Sequence, residues 1–359
     1  MSRAFTPVRI GPWELPNSFV MAPLTRNRAG AGNAPTQLNA TYYAQRAGAG
    51  LIITEGTAPS AVGQGYLNVP GLYTPEQVEG WRLVGDQVHS LGGRIVAQLM
   101  HAGRIAHRDN KDGIETISAS AVTAPGEIVT AEGPKPHDEP RALATEELPG
   151  VVADYVNASR NAIEAGLDGV EVHAANGYLL HQFLDPTINL REDSHGGSPE
   201  NRARFVIEVV TAVAEAIGAE KVGLRISPGH QFNGVGEEQG DDLDATYGAL
   251  VDAVAPLGLA YLSILASPLT DLAGDLRTRF GGSVLLNDGF GEVTTLESVE
   301  KLLETGLADA VVVGRPYLAN PDLHIRWERG AELNEPNATT FYGGGAEGYT
   351  DYPTLDQAS

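Results

Sequence analysis

Eight short apolar runs, spread along the whole chain, are the feature that most constrains its fold. They cover residues 18–24, 50–56, 94–100, 169–174, 222–227, 259–265, 283–289 and 308–314. The runs are near-continuous rather than alternating, which is typical of parallel strands covered on both faces. Helical patterns separate most of them; Thr74-Pro75-Glu76-Gln77, for example, is a capping box that predicts a helix start. Eight strands alternating with helices predict a (β/α)8 TIM barrel, with a doubly wound open sheet as the alternative.

Two segments fall outside this alternation. The start of the chain contains PVRIGPWELPN (7–17), which predicts a small hairpin that closes the N-terminal end of the barrel. Residues 101–145 form a long insertion after the third strand, rich in Pro, Gly, Ser and Thr. A loop of this length in a compact fold is often functional. We therefore expect residues 1–359 to form a single barrel domain, with the insertion at its active-site face.

The composition disfavours several classes of binding partner and cofactor site. The 46 acidic and 24 basic residues give a formal net charge of −22, which disfavours nucleic acid and anionic membranes as partners. The absence of cysteine excludes disulfides, thiolate nucleophiles and cysteine-ligated metals. No apolar run reaches the roughly 18 residues of a membrane span, and the start of the chain lacks the apolar core of a signal peptide. We expect a cytoplasmic protein that is a monomer or a weak homo-oligomer.

Polar side chains recur where the predicted strands end, which in a barrel is where the active site lies. The residues are Thr25, Gln98, His173, Asn176, Tyr178, Arg225, Asn287, Gly314 and Arg315. Each has an ordinary structural explanation, such as a buried ion pair for Arg225. Their coincidence at several strand ends nevertheless favours a site. Gly314 would permit close backbone approach and Arg315 would supply a forked donor, where such barrels often bind phosphate. The His-x-x-Asn spacing lacks the usual metal ligands, so we expect no metal.

Longer motifs give the chain a family resemblance that covers nearly its whole length. They include NSFVMAPLTRNRA (17–29), GRIVAQLMHAGR (93–104), HAANGYLLHQFLDPTINLREDSHGGSPENRARF (173–205), VVVGRPYLANPDL (311–323) and FYGGGAEGYTDYP (341–353). In these motifs the chain resembles the Old Yellow Enzyme family, flavin-dependent ene-reductases built on a (β/α)8 barrel. It looks most similar to the bacterial branch of pentaerythritol tetranitrate reductase, N-ethylmaleimide reductase and morphinone reductase.

The resemblance implies FMN as cofactor and NADPH or NADH as reductant. Gln98 would bond the pyrimidine edge of the flavin, Arg225 would lie by N1 and the C2 carbonyl, and Thr25 would lie near N5. Gly314 and Arg315 would hold the phosphate. The predicted cofactor-binding set is Pro23, Leu24, Thr25, Gly56, Gln98, Arg225, Asn287, Gly314 and Arg315.

The resemblance also implies the residues that meet the substrate. His173 and Asn176 would be paired donors to one substrate oxygen, and Tyr178 would be the proton donor. Their close spacing lets one turn of backbone point both donors at the same atom. The predicted substrate-binding set is Tyr66, Met100, His173, Asn176, Tyr178 and Tyr342. Residues 266–282 would border the mouth of this site.

The reaction that the resemblance implies is the reduction of an activated alkene, such as an enone, enal, maleimide or nitroalkene. Hydride would pass from NAD(P)H through flavin N5 to the β-carbon, with protonation at the α-carbon. Nitrate-ester or nitro-compound reduction at the same site is the close alternative. A flavin-free aldolase or isomerase and a non-catalytic FMN-binding protein are two further readings. Arg104, Arg108 and Arg141, at or in the insertion, are candidates to meet the 2′-phosphate of NADPH.

Overall fold

The computed structural model describes residues 2–265, 270–289, 291 and 293–358 of the chain. Within these residues the strands are β1 (Val8–Ile10), β2 (Trp13–Leu15), β3 (Phe19–Met21), β4 (Leu51–Ile53), β5 (Ile95–Leu99), β6 (Ile117–Ser118), β7 (Glu127–Thr130), β8 (Gly133–Pro136), β9 (Arg141–Ala142), β10 (Gly169–Ala174), β11 (Val222–Ile226), β12 (Tyr261–Leu265), β13 (Val284–Asn287) and β14 (Ala310–Val313). Residues 266–269, part of the segment expected to border the substrate mouth, lie outside the described residues.

The helices surround the strands. They are α1 (Gln37–Ala44), α2 (Pro75–Ser90), α3 (Leu148–Glu164), α4 (Leu179–Leu184), α5 (Pro199–Ile217), α6 (Asp241–Val254), α7 (Thr270–Phe280), α8 (Leu296–Glu304), α9 (Arg315–Ala319), α10 (Leu323–Arg329) and α11 (Leu355–Ala358). Short 3-10 turns lie at Arg3–Phe5, Ala31–Asn33, Arg108–Asn110, Thr145–Glu147, Ala219–Lys221, Ala255–Leu257 and Ala338–Thr340. Across the described ranges, no helix has both the length and the apolar character needed to cross a membrane.

Eight of the strands close into one parallel barrel. Their order around it is β3, β4, β5, β10, β11, β12, β13 and β14, so each strand pairs with the next barrel strand along the chain. Each of the eight predicted apolar runs contains one of these strands. The predicted capping box is also present: the Thr74 side chain accepts from Gln77 N–H, and the Gln77 side chain accepts from Thr74 N–H. The (β/α)8 prediction is therefore confirmed, and the open-sheet alternative is wrong.

The N-terminal hairpin closes one end of the barrel, as predicted. β1 and β2 pair in antiparallel fashion, and their apolar side chains join those that fill the barrel interior. The turn requires glycine at Gly11, where φ is +53° and an added Cβ would lie 2.8 Å from the Cα of Ala260. With this end closed, the opposite end, where the strands terminate, is left for a site.

The insertion is fastened to the loop that follows β11. Arg104 is buried, and its guanidinium donates to the carbonyl oxygens of Val122 (3.2 Å), Asn233 (3.2 Å) and Gly234 (2.9 Å). Arg108 pairs with Asp138 and Arg141 with Glu115, both within the segment, and Arg141 also pairs with Glu147 just beyond it. All three arginines thus help to hold the insertion in place, and the contact of one of them with a nicotinamide phosphate stays a prediction.

The C-terminal segment returns across the barrel to the end of β3. Arg26 donates to the carbonyl oxygens of Phe341 (2.9 Å) and Gly348 (2.8 Å), and Arg28 donates to that of Thr340 (2.8 Å). The Arg28 guanidinium also lies 4.6 Å from the centre of the Tyr349 ring, a cation–π distance. These contacts explain why the TRNR sequence follows the first barrel strand: it anchors the other end of the chain.

Glu55, just after β4, is a fully buried carboxyl beside this anchor. Its oxygens accept hydrogen bonds from the backbone N–H of Arg26 (3.1 Å) and the hydroxyl of Tyr43 (3.2 Å). Burial raises its pKa from 4.5 to about 7, although these bonds and the charge of Arg26 act in the opposite direction. The folded protein therefore holds a proton at Glu55 that the unfolded chain releases at lower pH.

This difference predicts a pH-dependent effect of Glu55→Gln. Between pH 4.5 and about 7 the folded state binds more protons at this carboxyl than the unfolded state, so the contribution of Glu55 to stability falls as pH rises. The neutral amide removes that cost. We expect the variant to gain up to about 3 kcal/mol in unfolding free energy over the unmodified protein at pH 8, and little at pH 4.5. Urea unfolding at both pH values measures this; equal destabilisation at both would contradict it.

Candidate active site

A cavity of about 500 Å³ opens at the carboxyl ends of the barrel strands. Its walls come from the loops after β3, β5, β10, β11, β13 and β14 and from the returning C-terminal segment. Of the residues predicted from sequence, those that line it are Pro23, Leu24, Thr25, Gln98, Met100, His173, Asn176, Tyr178, Arg225, Asn287, Gly314, Arg315 and Tyr342. Barrel closure thus brings residues far apart in the chain around one space.

The turn after β10 carries two polar side chains into the cavity. His173 is the last residue but one of β10, and Asn176 and Gly177 follow with left-handed backbone conformations (φ +59° and +77°). The N–H of Asn176 donates to Ser227 Oγ (2.8 Å), and the N–H of Gly177 donates to His181 Nδ1 (3.0 Å). Asparagine and glycine tolerate these conformations best, which explains their presence here. We call residues 173–177 the donor turn.

A second loop holds the donor turn from outside. Asn233, in the loop after β11, donates from Nδ2 to the carbonyl oxygen of Asn176 (2.8 Å). A Cβ added at Gly177 would lie 2.7 Å from the Cβ of Asn233 and 2.9 Å from the carbonyl oxygen of Phe232, so the two loops pack without spare room. His181, which receives the Gly177 bond, is itself held by Glu237 of this second loop, with 3.2 Å between Nε2 and Oε1. The position of the donor turn is therefore fixed by several contacts at once.

The electrostatics keep His173 neutral. Burial lowers its pKa well below the usual value, and the positive charge of Arg225 lowers it further. His173 Nδ1 and Asn176 Oδ1 are both buried with no hydrogen-bond partner among the described residues. Unsatisfied buried polar atoms are uncommon in folded proteins and often mark a ligand site. His173 can offer a ligand a neutral ring N–H, and Asn176 can offer the N–H groups of Nδ2, whereas its Oδ1 can only accept.

Tyr178 lies directly after the donor turn, at the start of α4. Its hydroxyl is 2.9 Å from the hydroxyl of Tyr66, and burial raises its pKa above the ordinary value. The phenol therefore stays protonated at neutral pH. The rings of Tyr66 and Tyr178 also meet edge to face, and residues of the insertion pack in the same cluster. The role of Tyr66 as a wall of the substrate space stays a prediction.

Arg225 and Gln98 lie deeper, on the two strands that flank β10, namely β11 and β5. Arg225 is 2% exposed, and its Nε has no hydrogen-bond partner among the described residues; one Nη donates to Ser263 Oγ at 3.3 Å. Gln98 Nε2 donates to Glu171 Oε1 (2.8 Å). A buried arginine with an unused donor, beside an oriented amide, suits the polar edge of a planar heterocycle that can carry negative charge.

The far side of the cavity is built from the ends of β13 and β14. A Cβ added at Gly314 would meet nothing closer than 3.9 Å, so open space lies beside its backbone, with Arg315 next in the chain. Asn287 Nδ2 donates to the carbonyl oxygen of Val312 (2.8 Å), which ties these two strand ends together. A glycine backbone with open space beside it and an arginine fork are groups that suit a phosphate.

Gly56, predicted to pass close to the flavin ring, packs against Met100, which lines the cavity. Its contact with the flavin stays a prediction. The side chain of Met100 covers it, since a Cβ at Gly56 would lie 2.5 Å from the sulfur. Glycine is needed here for Met100 to fit, and Met100 itself forms the wall.

Sequence reasoning missed several lining residues. They are Ala22, Arg26, His230, Phe232, Gly289, Thr294, Leu318 and Phe341. His230 and Phe232 lie in PGHQFNGVGE, the loop after the fifth barrel strand. A loop at the carboxyl end of a barrel strand is where site residues are expected, so its position was the usable signal.

Comparisons with known proteins agree with this geometry. Residues 3–334 match the NADH:flavin oxidoreductase / NADH oxidase family. The "Probable flavin mononucleotide-dependent alkene reductase" of Leishmania infantum is 41% identical, over 97% of this chain and 96% of the relative. The "12-oxophytodienoate reductase 1" of Oryza sativa subsp. japonica is 38% identical, over 98% and 93%. A solved structure of morphinone reductase in complex with tetrahydroNAD superposes with a TM-score of 0.93 at 43% identity, covering 99% of this chain and 98% of that one.

These matches confirm the family resemblance and the cofactor expected from the sequence motifs. They extend over nearly the whole chain, and the sequence identities exceed the level at which only a fold is shared. The chain therefore belongs to the NADH:flavin oxidoreductase / NADH oxidase family, the Old Yellow Enzyme family, and is an FMN-dependent oxidoreductase reduced by NAD(P)H.

Proposed function

We propose that the chain is an ene-reductase whose cavity holds FMN below and an activated alkene above. Arg225 and Gln98 would hold the pyrimidine edge of the flavin. Pro23, Leu24 and Thr25 would lie along the ring, and Gly314 with Arg315 would bind the phosphate. The unused buried donor of Arg225 and the open space beside Gly314 support this placement. When bound, FMN supplies the redox chemistry: it takes hydride from NAD(P)H and passes it to the β-carbon of the alkene.

The donor turn gives the substrate its orientation. A neutral imidazole at His173 and the carboxamide of Asn176 would each donate a hydrogen bond to the carbonyl oxygen of an enone. Negative charge grows on that oxygen as the β-carbon is reduced, so the two bonds are stronger in the transition state than in the ground state. A preorganised donor of this kind contributes about 3 kcal/mol in a water-excluded site. This fixed pair of neutral donors beside Tyr178 is the observation that carries the proposal.

Tyr178 would complete the reaction by giving its phenolic proton to the α-carbon. Its raised pKa keeps the proton in place until charge develops on the substrate. The bond to Tyr66 holds the ring in position and lets the second hydroxyl stabilise the phenolate that forms.

The activity is tested by anaerobic absorbance spectroscopy of the purified holoenzyme. Addition of NADH or NADPH should bleach the flavin bands, and a following addition of 2-cyclohexenone should restore them with formation of cyclohexanone. A protein that NAD(P)H bleaches but no enone, enal, maleimide or nitroalkene reoxidises would overturn the proposal.

Nitro compounds and nitrate esters are the second substrate class that the donor pair fits, because their oxygens also accept two hydrogen bonds. Measurement of nitrite release beside enone turnover, at matched concentrations, separates the two activities. We expect enone turnover to dominate, since Tyr178, which follows the donor turn, would protonate the α-carbon beside the carbonyl group. Faster nitrite release would reverse this assignment.

Replacement of Tyr178 tests the proton step. We expect Tyr178→Phe to slow reoxidation of the enzyme by 2-cyclohexenone about 10²-fold or more, because a positioned general acid contributes 10²–10⁴-fold. Reduction by NAD(P)H should change little. The matched control is Tyr66→Phe, which removes the neighbouring hydroxyl but leaves Tyr178 in place and should cost less than about tenfold. Equal losses in both variants would show that Tyr178 is not the donor.

A further inference from the structure

A polar layer crosses the otherwise apolar interior of the barrel beneath the cavity. Glu171 on β10 is paired in register with Gln98 on β5 and with Gly223 on β11. Gly223 is in turn paired with Tyr261 on β12. Residues paired in register on neighbouring strands point to the same face, so these four positions form one layer of the interior. Glu171 and Tyr261 are fully buried there.

The glycine in this layer makes room for the tyrosine. A Cβ at Gly223 would lie 2.2 Å from Cζ of Tyr261, so the phenol occupies the space that a side chain on β11 would fill. Gln98 Nε2 donates to Oε1 of Glu171 (2.8 Å), whereas Oε2 of Glu171 and the hydroxyl of Tyr261 have no hydrogen-bond partner among the described residues. Glu171 is therefore bonded to a residue that faces the cavity.

Arg225 lies in the next layer towards the cavity, two residues beyond Gly223 and in register with His173. Its nearest side-chain hydrogen bond is to neutral Ser263, and the negative charge that acts on it most is that of Glu171. A buried charge is stable only when it is compensated. Burial raises the pKa of Glu171, and the positive charge of Arg225 counteracts part of this rise.

We propose that Glu171 is a positioning residue that orients Gln98 and, as the counter-charge of Arg225, lowers the reduction potential of bound FMN. A positive charge beside the flavin favours the more negative, reduced cofactor. An ionised carboxylate one layer below cancels part of that effect, so the reduced cofactor is a stronger hydride donor than it would be beside Arg225 alone. The inference rests on the proposed placement of the pyrimidine edge against Gln98 and Arg225.

The test compares reduction potentials of the holoenzyme and its variants. Glu171→Gln keeps the shape and the acceptor for Gln98 but removes the charge. We expect a positive shift that corresponds to about tenfold tighter binding of reduced relative to oxidised FMN, or about 30 mV for a two-electron couple. Glu171→Asp keeps the charge and should lie within a third of that shift. The dissociation constant of oxidised FMN, measured by reconstitution of the apoprotein, gives a second readout.

Two results would overturn the inference in different ways. An unchanged potential in Glu171→Gln, with FMN bound, would mean that Glu171 carries no charge in the holoenzyme. Arg225→Gln should shift the potential in the negative direction; if it leaves the potential unchanged, the proposed flavin placement itself is wrong. Should Glu171→Gln not fold, the neutral Glu171→Met, of similar size, also removes the charge and should shift the potential positively by a similar amount. No shift in that variant would also overturn the inference.

Discussion

Replacement of both His173 and Asn176 by alanine is expected to slow reoxidation of the reduced enzyme by 2-cyclohexenone about 10³-fold. Loss of a single preorganised donor to a developing oxyanion costs 10²–10³-fold, and both donors are removed here. Reduction by NAD(P)H should slow much less, because no oxyanion develops on the nicotinamide in that step. Stopped-flow absorbance of the flavin measures the two half-reactions separately.

The control for this prediction is His230→Ala, which removes another histidine from the cavity wall and leaves the donor turn intact. It should change both half-reactions by no more than about fivefold. The rate of reoxidation should also be flat from pH 6 to 8, because His173 stays neutral throughout this range. Equal slowing of the two half-reactions in the double variant would contradict the assignment of the pair as substrate donors.

Substitution of Gly177 by alanine is expected to reduce enone turnover about 10²-fold although the added methyl group touches no substrate. The new Cβ would lie 2.7 Å from the Cβ of Asn233, so the donor turn and the loop after β11 have to separate. A displacement of about 1 Å at a positioned catalytic group costs about 10²-fold in rate. Turnover at saturating substrate measures the loss of activity, and thermal unfolding measures the loss of stability.

Gly166→Ala is the matched control. Gly166 has a similar backbone conformation (φ +84°), but an added Cβ there would meet no atom within 4 Å. Both variants carry the intrinsic cost of alanine in the left-handed region, about 1–2 kcal/mol, and only Gly177→Ala adds the clash. Turnover of Gly166→Ala should therefore match that of the unmodified enzyme. If the two variants lose turnover equally, the backbone conformation and not the clash is responsible.

The barrel was predictable because its signal is repeated. Each parallel strand is covered on both faces and must be apolar along its length, so the same apolar pattern occurs in eight separate runs. The strand ends then indicated where polar residues would meet, and long motifs supplied their expected roles. His173 and Arg225 illustrate this: they are more than 50 residues apart in the chain but are paired in register on β10 and β11.

The remaining details depend on side-chain packing between distant segments. Met100, just after β5, packs so closely on Gly56 that only glycine fits there. Tyr66 meets Tyr178 edge to face within a cluster that includes residues of the insertion. How two neighbouring aromatic rings pack is decided by the third segment that covers them. Neither propensity nor strand spacing contains that information.

The contacts that hold the C-terminal segment do not involve the side chains through which this segment shapes the cavity mouth. The stability of the mouth and its choice of ligand can therefore change independently. Arg26 and Arg28 hold this segment through hydrogen bonds to main-chain carbonyl oxygens, which every amino acid possesses. Tyr342, which is 69% exposed beside these bonds, contributes its ring to the cavity mouth. The identities of residues 341 and 342 can therefore change while the fastening stays intact. Natural or engineered substitutions at these two positions can change which molecules enter the enzyme without lowering the stability of the barrel.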